Sequence, residues 1–332
     1  MAQQLPSKSA TNSSSEDVDL AKESVKAFIS ALPARKGWSY PFVQYKSYWF
    51  RPEFLEQFLL VERCFKPRPD DIILATQPKC GTTWLKALAF TITNRSRYNF
   101  SDHPLLTRHP HHLVPFIEIP AVGADHTGVE SLPSPRILAT HMPLSLLPPG
   151  TGSCGCRVVY LCRDPKDALV SRLHFEKKLL EGFSLSMDAA VSMFCEGFSP
   201  YGPFWDHCLE YWRESVATAN STVLFLKYEE MKSDPLQVVR KLAEFLRVPF
   251  TQEEESSGVA EDVVKLCSFE KLTSLQVNQV GVVGLGNNVR LGNSAFYRKG
   301  QVGDWVNHMS QEMGKKIDSI VQHKLQGSGL VL

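Results

Sequence analysis

The segment Pro78-Lys79-Cys80-Gly81-Thr82-Thr83-Trp84 gathers the parts of an anion cradle. Gly81 lets backbone approach a ligand, the amides of Thr82 and Thr83 open a helix, both hydroxyls can donate, and Lys79 adds a point charge. The order is not that of an ATP-binding P-loop, G-x-x-x-x-G-K-[ST], because the lysine precedes the glycine and no second glycine stands upstream. A bare strand-to-helix turn is the competing reading, and the lysine and paired threonines weigh against it. Three further polar groups follow apolar runs in the same way: His141 after Ile137-Leu138-Ala139-Thr140, Arg163 after Val158-Val159-Tyr160-Leu161-Cys162, and Tyr228 after Val223-Leu224-Phe225-Leu226-Lys227. Guanidinium and ammonium groups match phosphate oxygens, and a neutral imidazole can take a proton from a hydroxyl. Taken singly, a histidine at a strand end is more often structural, and Arg298-Lys299 reads as a charged surface loop.

Such groups need a frame that delivers them to one edge. The run Asp71-Ile72-Ile73-Leu74-Ala75-Thr76, bounded by Pro69 and Pro78, has the pattern of a buried strand, and Leu85, Leu88 and Ile92 then follow at helical spacing. The alternation recurs: 136–140, 157–162 and 222–228 read as strands, with helices expected over 167–178, 187–195, 205–217 and from Pro235 to near Arg247. Asp164-Pro165 supplies a cap and a first helical residue. The expected fold is α/β: a single domain over 18–332 with a central, mainly parallel sheet flanked by helices and a P-loop-like strand-loop-helix. A disordered Ser-rich tail is expected over 1–17 and a short helical pattern over 24–32. In open parallel sheets ligands bind beyond the carboxyl ends of the strands, where Lys79, His141 and Arg163 can converge. The aromatics Trp38, Tyr40, Phe42, Tyr45, Tyr48, Trp49 and Phe50 form a cover over the core or a substrate mouth. The Gly- and Asn-rich stretch 281–294 is expected to be a mobile loop before a last helix carrying Ile317, Ile320, Val321 and Leu325.

Composition narrows the function. Among 332 residues, 36 basic and 35 acidic side chains leave a net charge of +1, which gives no global field for nucleic acid or an anionic membrane, so any anion site is local. With 43% hydrophobic and 21% charged residues the whole chain is neither disordered nor a coiled coil. The eight cysteines lack C-x-x-C spacing and read as reduced thiols. No apolar run suits a membrane helix and the N-terminus lacks a secretory core, so a cytoplasmic protein with no membrane partner is expected. His103, His109, His111 and His112 lie in a Pro-rich stretch without helical pairing, as in a solvated or substrate-facing loop. With no Walker-type Asp for Mg²⁺ either, the reaction is expected to need no metal.

The cradle segment, continued by Leu85-Lys86-Ala87-Leu88, resembles that of the cytosolic sulfotransferases, and the wording is closest to their plant-type, flavonol sulfotransferase-like branch. Thr140-His141-Met142-Pro143, Arg163-Asp164-Pro165-Lys166-Asp167 with Ser171, and Arg298-Lys299-Gly300-Gln301-Val302-Gly303-Asp304-Trp305 are similar to three further segments of that family, in the same order. The resemblance implies transfer of a sulfuryl group from 3′-phosphoadenylyl sulfate (PAPS) to a hydroxyl of a small acceptor, releasing adenosine 3′,5′-bisphosphate (PAP). It implies that His141 is the general base and that Lys79, with Thr82 and Thr83, stabilises the leaving phosphate. Arg163, Ser171, Arg298, Lys299 and Gly300 would hold the 3′-phosphate, and Trp84, Tyr228 and Phe269 the adenine. Cys80, Gly81 and Ser268 complete the expected nucleotide contacts.

Departures from the family pattern are few. Gln77 replaces a common aromatic residue, Ala139 a lysine of many animal relatives, and Cys267 a common threonine, which removes one weak donor near the adenine. The region after Trp305 lacks the dimer segment of animal relatives, so a monomer or weak homodimer is expected. Phenolic, flavonoid, steroid and jasmonate-like acceptors all remain open. The alternatives are a PAP-binding regulator without turnover and, further off, a P-loop kinase, which would accept ATP and need Mg²⁺.

Overall fold

The computed structural model describes residues 15–38, 40–119, 127–285 and 289–332. Its centre is a four-stranded parallel sheet in the order β5-β4-β6-β7, made of β4 (Ile72–Thr76), β5 (Ile137–Thr140), β6 (Arg157–Cys162) and β7 (Val223–Lys227). The register pairs Leu74 with Ala139 and with Val159, and Val159 with Leu224.

Successive strand residues point to opposite faces, and both faces are buried. One face carries Ile73, Ala75, Leu138, Val158, Tyr160 and Phe225 and is covered by the helices Pro165–Leu179, Phe204–Ala217 and Gln311–Leu325. The other carries Ile72, Leu74, Ala139, Val159, Leu161 and Leu224 and is covered by Thr82–Asn94, Pro235–Phe245 and Val259–Leu266. These near-continuous apolar runs explain why the strands were recognisable. The helix Pro165–Leu179 begins as expected: the Asp164 carboxylate accepts from the amides of Lys166 at 2.8 Å and Asp167 at 3.1 Å, with Pro165 in the first turn.

The structure corrects several expectations. The aromatic stretch is an antiparallel sheet of β1 (Ala34–Arg35), β2 (Phe42–Tyr45) and β3 (Tyr48–Phe50). Trp38, Tyr48 and Phe50 are buried in the core, and Phe42, also buried, lines the cleft described below. The stretch expected as a mobile loop contains the antiparallel pair β8 (Val282–Leu285) and β9 (Val289–Gly292), with 286–288 outside the described residues. Tyr228 is not the end of a strand but the first residue of the helix Tyr228–Ser233. The first helix, Ser15–Ser30, starts well before the 24–32 pattern and takes in the last residues of the expected tail; positions 1–14 lie outside the described residues.

At the amino end of the sheet, opposite the cleft, Arg136 donates from Nε and Nη2 to the two carboxylate oxygens of Asp71, at 2.8 and 2.6 Å, with both side chains fully buried. A bidentate buried pair contributes modestly as a whole, but removing Asp71 leaves the buried Arg136 only the part-exposed Glu130, at 3.1 Å, as a counter-charge. Asp71→Ala is therefore expected to lower unfolding free energy by about 3–5 kcal/mol, read by chemical denaturation. A shift in the denaturation midpoint no larger than that of an exposed substitution would contradict this.

Candidate active site

At the carboxyl end of β4 the chain turns through Gln77 and Pro78 into the helix Thr82–Asn94. Two residues of this turn have left-handed backbone, Lys79 (φ 74) and Gly81 (φ 111). Only glycine suits the second: a Cβ there would lie 2.9 Å from the Tyr228 ring and 3.0 Å from Leu161. Strained loop backbone beside a helix N-terminus presents amides to one concavity, and the first helical N–H groups have no intrahelical acceptor. The ammonium of Lys79 lies 4.0 Å from the centroid of the Phe175 ring. Burial, together with the charges of Arg172, Lys178, Arg163 and Arg298, pulls its pKa down to about 7.

His141 follows β5. Its Nδ1 lies 2.8 Å from the carbonyl oxygen of Thr76. A carbonyl only accepts, so Nδ1 carries the proton and Nε2 keeps a free lone pair. The backbone of His141 is clamped on both sides: its amide donates to the Glu118 carboxylate at 2.7 Å, and its carbonyl accepts from His207 Nε2 at 3.0 Å. Phe116 and Tyr201 pack on the imidazole with ring centroids at 4.9 and 5.5 Å. Burial pulls its pKa down to about 3, against the hydrogen bond to Thr76, so the ring is neutral at physiological pH. The Thr76 hydroxyl reaches both halves of the site, 2.6 Å from the Thr82 hydroxyl and 3.2 Å from His141 Nδ1.

A cationic rim comes from segments far apart in sequence. Arg163 donates to the carbonyl of Gln301 at 2.6 Å, pairs with Asp167 at 3.2 Å and sits over the Tyr228 ring at 4.4 Å. Arg298 and Lys299 both pair with Asp304, the latter at 2.7 Å. Burial alone would raise the Asp304 pKa, yet hydrogen bonds from Lys299, Asn307 and Arg298 hold it well below the usual carboxylate range. Asp167 accepts from the amides of Gly303 and Trp305 at 2.8 and 2.9 Å and so pins the late loop to the helix behind Arg163. Gly300 has φ 62, and a Cβ there would meet the Phe269 ring at 2.5 Å.

Lys79, Gly81, Thr82, Thr83, Trp84, His141, Arg163, Ser171, Tyr228, Phe269, Arg298, Lys299 and Gly300 all line one cleft, which encloses about 1400 Å³ of empty space open to solvent. Two expected contacts do not. The Cys80 thiol is fully buried in the core and its amide donates to the Gln77 carbonyl at 3.2 Å. Ser268 caps the short helix Phe269–Ser274, its hydroxyl accepting from the Lys271 amide at 3.1 Å. Cys267, expected near the adenine, is buried with its sulfur 3.4 Å from the Thr91 hydroxyl. The histidine-rich stretch is not a solvated loop: His103 and His109 are buried and cap short helical turns, and His111 lines the cleft.

Sequence reasoning missed Arg51, Phe116, Arg172, Phe175, Tyr201 and Phe296 in the lining. The sequence reading also assigns no task to Asp167 or Asp304. The available signal for these two was charge: each acid stands within six residues of a cation expected to bind phosphate.

The sulfotransferase domain model matches residues 69–329, and the chain belongs to the sulfotransferase family and is a sulfotransferase enzyme. It is 44% identical to cytosolic sulfotransferase 5 of Arabidopsis thaliana over 93% of this chain and 96% of that one. In structure it is similar to a candidate steroid sulphotransferase of Arabidopsis thaliana, with a TM-score of 0.74 and 36% identity, covering 98% of this chain and all of that one. A mouse sulfotransferase solved with PAP shares the fold at a TM-score of 0.66 and 23% identity, covering 87% of this chain and 95% of its own. Among the described residues no helix is long and apolar enough to cross a membrane.

Proposed function

We propose that this enzyme transfers the sulfuryl group of PAPS to a hydroxyl of a small acceptor in the cytosol, with His141 as general base and Lys79 stabilising the departing phosphate. The observation that carries the reading is the shared cleft: the neutral imidazole, the ammonium at the helix N-terminus and the Arg163/Arg298/Lys299 rim line one space. His141 Nε2 takes the acceptor proton as the acceptor oxygen bonds to sulfur; the S–O bond to phosphate breaks and its electron pair leaves on the phosphate oxygen. Lys79 and the amides and hydroxyls at Thr82 and Thr83 meet that growing charge, which favours the transition state over the ground state. Arg163, Ser171, Arg298, Lys299 and Gly300 suit the 3′-phosphate, and Trp84, Tyr228 and Phe269 the adenine; the Nε–H of Arg163 is buried without a partner, as an anion-binding guanidinium would leave it. The aromatic walls Phe42, Phe116, Phe175 and Tyr201 suit a flat or lipid-like acceptor skeleton.

Purified protein incubated with PAPS and a mixed library of hydroxyl compounds is expected to give products heavier by one sulfuryl group. Equal or faster transfer of the γ-phosphate from ATP would overturn the reading.

The Lys79 pKa adds a pH signature. The ammonium faces Arg172, Lys178, Arg163 and Arg298, and all four depress it. An arriving bisphosphate favours the charged form, so the bound pKa exceeds the free value of about 7. Binding at pH 8 is then expected to take up about one proton more in the native enzyme than in Lys79→Met, with the difference nearly gone at about pH 6. Calorimetry in buffers of different ionisation enthalpy reads this; no difference between the two proteins at the higher pH would refute it.

A further inference from the structure

The same cleft carries charge that the reaction above does not use. Arg51, which precedes the helix Pro52–Cys64, and Arg172, in the helix Pro165–Leu179, both line the cleft. Between them lies Glu176, which accepts from Arg51 Nη2 at 2.8 Å and pairs with Arg172 one helical turn away. The carboxylate is 1% exposed and is absent from the cleft lining, so it sits behind the two guanidinium groups. Tyr40 and Phe54 lie within 4.8 and 5.8 Å of Arg51 and hold it further in place. The Nε–H groups of both arginines are buried without a hydrogen-bond acceptor.

Two guanidinium groups and one carboxylate leave one positive charge, largely withdrawn from water, and among the described residues no Asp or Glu lines the cleft. An unbalanced buried charge is costly unless something pairs with it. The anions of PAPS already have partners in Lys79, the loop amides and the Arg163/Arg298/Lys299 rim. The acceptor is the remaining molecule that enters, and a planar guanidinium fork is matched by a carboxylate. Arg172 is close enough to the reacting groups for its charge to depress both Lys79 and His141, so an anion bound there lies within one small molecule's reach of the base.

We propose that Arg51, Arg172 and Glu176 form an anion anchor and that the acceptor is a hydroxylated carboxylic acid, bound with its carboxylate on the guanidinium groups and its hydroxyl at His141. Glu176 is the strut that fixes the fork before the acceptor arrives. Phe42, Phe54 and Leu179 enclose the carbon skeleton. This rests on the sulfuryl-transfer reading and deepens it from a hydroxyl compound of any kind to an acidic one.

The test compares para-coumaric acid, ferulic acid and an omega-hydroxylated fatty acid, each beside its methyl ester. Sulfation is followed with PAPS, and binding to the enzyme–PAP complex is followed by calorimetry. The native enzyme is expected to favour at least one acid over its ester by about tenfold or more in kcat/KM and in affinity. Arg172→Leu should bring that ratio close to unity, Arg172→Lys should restore part of it, and PAP affinity should stay within about threefold in both. Arg51→Gln reads the same anchor from a different chain segment, so a folding defect in one variant does not leave the matter open. The proposal is overturned if the native enzyme treats every acid and ester alike, if the preference survives in Arg172→Leu, or if that variant slows acid and ester equally, which would make Arg172 a partner of the sulfuryl group. If the protein binds PAP and sulfates nothing, the transfer reading fails, while the acid-over-ester affinity ratio still decides the anchor.

Discussion

Replacing His141 with glutamine is expected to slow sulfuryl transfer by about 10²–10⁴-fold while PAP affinity stays within about threefold. The size follows from the ring's setting. Its Nδ1 proton is committed to the Thr76 carbonyl, its backbone is clamped by Glu118 and His207, and burial keeps it neutral. The free Nε2 lone pair has no other task among the described residues, and glutamine can fill the space without supplying a comparable base. Initial rates of sulfated product and calorimetry with PAP, run on the same preparations, check the two halves. A parallel loss of both would assign His141 to nucleotide binding, and an unchanged rate would remove it from the reaction.

The second large effect is expected at Lys79. Lys79→Met keeps most of the side-chain stem but removes the ammonium that lies over the Phe175 ring. If the charge acts on the departing phosphate oxygen, kcat falls by about 10²–10³-fold, as for the loss of one oxyanion donor, and the PAP dissociation constant rises by less than about tenfold. A uniform-binding role would give the reverse: a raised KM for PAPS with kcat intact. Steady-state kinetics against varied PAPS separates the two, and a pattern of the second kind would count against the assignment.

Much of this architecture could be read from the sequence because it is locally encoded. Strands buried on both faces appear as short apolar runs, and the carboxyl ends of β4, β5 and β6 lead directly to Lys79, His141 and Arg163. The N-terminal sheet could not be read this way: its strands span at most four residues, and rings that alternate between core and cleft look the same in sequence. Gly and Asn made 281–294 resemble a loop, although Val282 to Leu285 pairs with Val289 to Gly292. The Cys80 side chain follows the turn inward and Ser268 spends its hydroxyl on a helix cap, and neither orientation is set by residue type. Arg172 was missed for a related reason. Beside Ser171 on a helix it resembles a solvated arginine, and only the fold reveals Arg51, whose shared partner Glu176 lies 125 positions from it. The Asp71–Arg136 pair, 65 positions apart, was equally out of view.

The Thr76 hydroxyl touches Thr82 on one side and the imidazole of His141 on the other. One oxygen thus couples the loop proposed to hold the donor to the imidazole proposed to activate the acceptor. On the proposed roles, an inhibitor wedged under the 78–83 loop is expected to detune the base without ever contacting it, so potency there need not require filling the rest of the cleft.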